Sequence, residues 1–143
     1  MDVIKKSPCV GVCSTVYGDE VCKGCKRFYN EIIDWNGWDD TQKKAVYQRL
    51  ESLMADAMAD KLQINQPDLL EAALQIHGIH YRHFTSPCWW LFLLWIKKPE
   101  ALDNWKNVGV TIAKPYQSLP PTALLNQIDD TVNIASQILF DKR

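Results

Sequence analysis

Apolar residues recur at three- and four-residue steps along positions 40–62, where Val46, Leu50, Leu53 and Ala57 form a stripe widened by Tyr47, Met54 and Met58. That period predicts a long helix with one buried face, opening at Asp39 or Asp40, with both methionines as core filling. Asn65-Gln66-Pro67-Asp68 breaks the pattern and marks a candidate boundary. Asp68 can cap a second helix carrying Leu69, Leu70, Ala73, Leu74 and Ile76, which Gly78 invites to end at His77. Residues 88–96 are nine consecutive apolar positions, Cys88 to Ile96, closed by Lys97-Lys98-Pro99. A bilayer-spanning helix takes about 20 residues, so no transmembrane segment is expected and a buried core helix is the first reading. The run holds Trp89, Trp90 and Trp95, and clustered tryptophans are typical binding hot spots, so a partner surface is its main rival.

The flanking segments complete a helical pattern. Phe28, Ile32 and Trp35 share one face of a short helix that Asn36-Gly37 stops. Positions 99–107 predict another short helix, with Pro99 at its start and Gly109 past its end, and 110–113 a brief extended piece. Pro120-Pro121-Thr122 opens a final helix with Leu124, Leu125, Ile128, Val132, Ala135, Ile138 and Leu139 on its apolar face. Asp129, Asp130 and Asn133 lie opposite. This helix is expected to pack on the one from Asp68. The fold class is therefore mostly α: a small four-cysteine, metal-stapled N-terminal module with the long helix, over residues 1–64, followed by a helical region over 65–143. The two regions can share one core.

Composition narrows the function classes. With 143 residues, 47% of them hydrophobic and 10% aromatic, the chain has ample material for a packed core. A net charge of -1 and a pI near 6.3 argue against a general polyanion binder. Lys5, Lys6, Lys23, Lys26 and Arg27 nonetheless cluster near the N-terminal cysteines, so a modest positive patch is expected there. Its first reading is compensation of thiolate charge, and its second is contact with nucleic acid. No phosphate loop, dinucleotide fingerprint or internal repeat is present.

The most specific chemistry lies in Cys9, Cys13, Cys22 and Cys25, spaced C-x3-C-x8-C-x2-C. Around them only Val10, Val12, Val16, Tyr17 and Val21 are available for burial, so the segment needs another source of stability. A bound metal supplies it, because ligation free energy becomes folding free energy, on the order of 10 to 16 kcal/mol for structural zinc. The start Met1-Asp2-Val3-Ile4-Lys5-Lys6-Ser7 holds no signal-peptide pattern, which predicts a cytoplasmic, reducing location. There, close-set cysteines are read as metal ligands ahead of disulfides or a redox-active Cys22/Cys25 pair. Cys22-x-x-Cys25 makes a knuckle, with Gly24 expected to take a backbone angle that a side chain resists. Four thiolates suit tetrahedral zinc and also iron-sulfur clusters. Two separated pairs tip the balance slightly toward Zn2+. A zinc ion with four protein ligands has no open position for substrate, so no catalytic residue is assigned.

His77, His80 and His83 are read as ordinary surface or cap residues. A second metal site, or Cys88 with His83 as nucleophile and base, is the lesser alternative.

The run Ser-Pro-Cys-Val-Gly-Val-Cys, then Cys-Lys-Gly-Cys-Lys-Arg, then Glu31-Ile32 and Trp35, resembles a bacterial family catalogued as domain of unknown function family 1289. Its members are small four-cysteine proteins described as predicted iron-sulfur proteins. The resemblance spans about residues 7–50 and implies a four-cysteine metal module on Cys9, Cys13, Cys22 and Cys25. The family pattern commonly has Thr where this chain has Phe28. The expected function is a non-catalytic module for a protein or nucleic-acid partner. Its docking residues would be Lys23, Lys26 and Arg27, or Trp89, Trp90 and Trp95. The alternative is an iron-sulfur electron-transfer or redox-sensing protein, and an enzyme using Cys88 or the histidines comes third.

Overall fold

The computed structural model describes residues 7–11 and 13–143; Lys5, Lys6 and Val12, which entered the reading above, lie outside them. Among the described residues the chain is mostly helical: α1 (Tyr29–Asp34), α2 (Asp40–Met58), α3 (Pro67–Ile76), α4 (Pro87–Lys97) and α5 (Pro121–Asp141), with two short strands, β1 (Leu62–Ile64) and β2 (Val110–Ile112).

Helix α2 begins where its capping chemistry lies. The Asp39 carboxylate accepts from the Gln42 N–H at 2.8 Å, and the Gln42 side chain accepts from the Asp39 N–H at 3.1 Å. This reciprocal box satisfies two otherwise orphaned donors. The helix ends at Met58, short of position 62, because Leu62, Gln63 and Ile64 pair antiparallel with Ile112, Thr111 and Val110. The turn that feeds β2 is held by Gly109, at φ +71, whose carbonyl accepts from the Asn65 and Gln66 N–H groups at 2.9 and 3.1 Å. A Cβ at this position would stand 2.4 Å from the Gln66 carbonyl oxygen, so only glycine fits.

Helix α3 starts one residue earlier than its sequence signal. Pro67 takes the first helical position and Asp68 sits in the first turn, not at the cap. The helix ends at His77 with Gly78 at φ +65, as the glycine dictates. The predicted helix over 99–107 is instead two single 3-10 turns, Pro99–Leu102 and Trp105–Val108.

The tryptophan-rich run forms the central helix. In α4, Trp89, Leu91, Phe92, Leu93 and Leu94 are buried, while Trp90 and Trp95 are half-buried against the same core. Trp89 donates its indole N–H to the Leu50 carbonyl at 2.7 Å and stacks on Phe84 with ring centroids 4.4 Å apart. The Ser86 hydroxyl caps the helix, and Glu51 on α2 accepts from the Ser86 and Thr85 N–H groups just before it. An all-round apolar helix is thereby enclosed by α2, α3 and α5.

Helix α5 packs mainly along α2 and touches α4, not chiefly α3 as its apolar face suggested. Its buried ladder climbs in steps of four, through Leu124, Ile128, Val132, Ser136 and Phe140, with Leu125 beside it. Four-residue steps drift around a 3.6-residue helix, so Ile138 and Leu139 turn outward and remain partly exposed. One core joins residues from Val10 and Trp35 through Val132, and so runs across the boundary expected near residue 65. No described helix is long and apolar enough to cross a membrane.

Candidate metal centre

The knuckle is a short hairpin. Val21 and Phe28 form a single antiparallel bridge, Cys22 N–H donates to the Arg27 carbonyl, and Lys26 N–H donates back to the Cys22 carbonyl, each at 2.9 Å. The left-handed residue in this turn is Lys26, at φ +68, and Gly24 does not have a positive φ. The expectation for Gly24 is corrected accordingly. A non-glycine residue in this region costs roughly 1 to 2 kcal/mol and needs compensation from elsewhere.

The Lys26 side chain provides it. Lys26 is fully buried, and its ammonium donates to the Lys23 carbonyl, to the Asp129 carboxylate and, at 2.8 Å, to the Asn133 side-chain oxygen. It also lies 5.3 Å from the Phe92 ring centroid. Burial lowers the Lys26 pKa from its ordinary value, against which the Asp129 hydrogen bond and charge act. Arg27 is buried as well. Its guanidinium lies 5.0 Å from the Trp35 ring and its Nε donates to Cys25 Sγ at 3.3 Å.

Phe28 anchors the far side of the hairpin. It meets Phe140 of α5 edge-on, with centroids 5.3 Å apart, and Arg49 lies 4.1 Å above its ring. A phenylalanine cannot cap α1 with its side chain. Glu31 does so from within the helix, its carboxylate accepting from the Phe28 N–H at 2.7 Å while held by Arg49.

Cys22 and Cys25 are both buried and hydrogen-bonded to each other. The bond from Cys25, with backbone N–H groups of Cys25, Ser14 and Gly24, pulls the Cys22 thiol down to about 4 despite its burial. Donating that bond, together with burial, pushes Cys25 up. The shared bond therefore favours a single thiolate within the pair, with Cys22 shifted down and Cys25 shifted up. A bound cation would favour the thiolate form of both sulfurs.

The other two cysteines stand apart. Cys13 is half-buried with its sulfur 2.9 Å from the Thr15 hydroxyl. The turn that follows it, Ser14–Tyr17, is docked on the knuckle, since the Lys23 N–H donates to the Ser14 hydroxyl at 2.8 Å. Cys9 is exposed, and its sulfur accepts from the Gly11 N–H at 3.4 Å. Among the described residues no three Cys, His, Asp or Glu side chains converge as a metal site. The structure thus joins Cys22 to Cys25, brings the Cys13 loop against them, and leaves Cys9 facing elsewhere.

The expected docking residues are redistributed. Lys23 is exposed, but Lys26 and Arg27 are buried and cannot form a surface patch. Trp89 is at the centre of the core, so it is not a docking residue either. Val16 and Tyr17, counted in the sequence as burial candidates, are 73% and 88% exposed beside the knuckle. His77, His80 and His83 line one cavity that Cys9 also reaches. Cys88 lies outside that cavity, half-buried in α4, where burial pushes its thiol up. Sequence reasoning missed Asp129 and Asn133, which sit one turn apart on the polar side of α5. Nothing local announces a buried lysine as their partner.

Together these features define a small helical protein with a cysteine knuckle docked on its core. Residues 7–54, roughly a third of the chain, match the model of a protein family of unknown function, DUF1289. No curated protein and no solved structure matches.

Proposed function

We propose that Cys22 and Cys25, joined by Cys9 and Cys13, hold one metal ion, with zinc slightly favoured. The protein then serves as a non-catalytic interaction module. The observation that carries this reading is the knuckle itself. Two buried cysteines share one tight hairpin, backbone N–H groups point at the Cys22 sulfur, and the cationic side chains of Lys26 and Arg27 are buried next to them. Soft thiolate donors with compensating charge suit zinc or iron. The donor chemistry fits; closing the shell requires Cys13 and Cys9 to turn toward the pair. When bound, the metal supplies cross-linking of the N-terminal segment, and with four protein ligands it offers no open position.

A protein partner fits better than nucleic acid. With Lys26 and Arg27 withdrawn, the surface beside the knuckle keeps Lys23 and the exposed Val16 and Tyr17, a mixed apolar patch and not a basic one. The second reading, an iron-sulfur centre passing electrons to a partner, is favoured by the same buried cations and N–H···S contacts, because these tune cluster potentials.

Elemental analysis and an absorption spectrum of anaerobically purified protein test both. Zinc at one per chain supports the first reading, and iron with labile sulfide and visible absorbance supports the second. A folded protein that binds neither overturns both. Cys22→Ser or Cys25→Ser should release the metal and unfold the N-terminal segment, whereas Cys88→Ser should retain it.

A further inference from the structure

A cavity of about 610 Å³ opens where α3 and α4 end, within the size range of small-molecule sites. His77 closes α3, His80 and His83 follow in the connecting loop, and Lys97 and Lys98 end α4. Leu93 supplies an apolar wall. Among the described residues, no Asp or Glu lines it.

The ordinary explanation for basic side chains at helix C-termini is capping of the last carbonyls. Here the backbone already does much of that. The Ala73, Gln75 and Leu74 carbonyls accept from the N–H groups of His77, Gly78 and Ile79 at 3.1, 3.1 and 2.9 Å, and Leu94 accepts from Lys98 N–H at 2.7 Å. Lys97 is engaged as well, donating to the Val10 carbonyl at 3.0 Å. Lys98 has only a loose, exposed contact with Glu100 at 3.7 Å. His77, His80, His83 and Lys98 thus line a concave space with an apolar wall, the His83 ring also packing on Phe84 at 4.8 Å between centroids, and among the described residues the nearest carboxylate to Lys98 is the loosely held Glu100 outside the cavity. A metal is a poor occupant, because no three of the described ligating side chains converge.

We propose that this cavity binds a small organic anion. Its carboxylate or phosphate accepts hydrogen bonds from the His77 and His80 rings and from Lys98, His83 lies at the cavity wall, and the anion's apolar part lies against Leu93. Oxyanions match this set because every one of these polar groups can donate, and charge-assisted bonds are the stronger kind. The anion's donors come from α3, the loop after it and α4 and not from the metal ligands, although a Cys9 turned toward the knuckle would move the Ser7–Gly11 wall of the cavity.

The test is an NMR titration of the full chain with octanoate, octyl phosphate, inorganic phosphate and octylammonium. Saturable shifts confined to Ile79, His80, His83, Leu93 and Lys98 are expected with octanoate or octyl phosphate, with Kd below about 1 mM. The tighter of the two identifies the head group. His80→Ala with Lys98→Ala, both exposed positions, should weaken that binding about tenfold or more at an unchanged amide spectrum. Lys98→Glu should weaken it without the histidine change. The proposal is overturned by inorganic phosphate binding as tightly as octyl phosphate, by an equal response to octylammonium, by no saturable shift with either organic anion, or by undiminished binding in the variants.

Discussion

Lys26 is the residue on which most of the N-terminal geometry turns. Its backbone takes the left-handed angle that the knuckle needs, and its ammonium ties that turn to Asp129 and Asn133 on the last helix. Replacing it with methionine keeps the volume but leaves Asp129 without its cationic partner and does not relieve the backbone strain. Loss of about 2 kcal/mol is expected, read as a lower urea midpoint at an unchanged slope. Lys26→Met combined with Asp129→Asn should recover part of that loss, because the unpaired carboxylate is then gone. Additive effects of the two changes would show that the pair does not couple the knuckle to α5. In the sequence this lysine read as part of a surface patch. Its neighbours in the chain gave no sign that it would be withdrawn, since the partner residues lie more than 100 positions away.

At the scale of elements, local chemistry set the boundaries and distant pairing moved them. The Asp39–Gln42 box, the Ser86 cap, the prolines at the first turns of α3, α4 and α5, and Gly78 all act where the sequence places them. The end of α2 does not, because β1 leaves the helical path only when β2 is available to pair with it. Gly109 is the joint of that pairing. Gly109→Ala should cost about 2 kcal/mol or more, since the added Cβ meets the Gln66 carbonyl and the backbone angle disfavours a side chain. A thermal midpoint within error of the parent would show that the turn at residues 65–66 can move away. The apolar face of α5 was legible in composition, yet its partner was not: a stripe of leucines and isoleucines fits α2 or α3 equally well. The choice falls to the geometry of the whole bundle.

In the whole molecule a single core spans the N-terminal segment, the long helix and the C-terminal helices. Val10, Trp35 and Leu50 belong to it together with Trp89, Leu124 and Val132. A fragment of residues 65–143 would lose α2, against which both α4 and α5 pack, and would expose the faces of Trp89 and Ile128. It should retain some helical circular dichroism but unfold without a cooperative transition. A sharp thermal transition in that fragment would show an autonomous domain.

The sequence by itself determined the helical class and most helix starts and stops, and it favoured burial of the tryptophan-rich run over a partner surface without deciding between them. Each of these depends on local spacing, capping groups or the energetic cost of leaving nine apolar side chains in water. It also marked Cys22 and Cys25 as a pair, because a two-residue gap forces proximity. Tertiary structure alone decided which basic residues face solvent, that Asp129 and Asn133 hold the knuckle, and that Lys97, Lys98 and Cys9 line one cavity with the three histidines. Those outcomes join groups distant along the chain, and only the packing of the helices brings them within reach of one another.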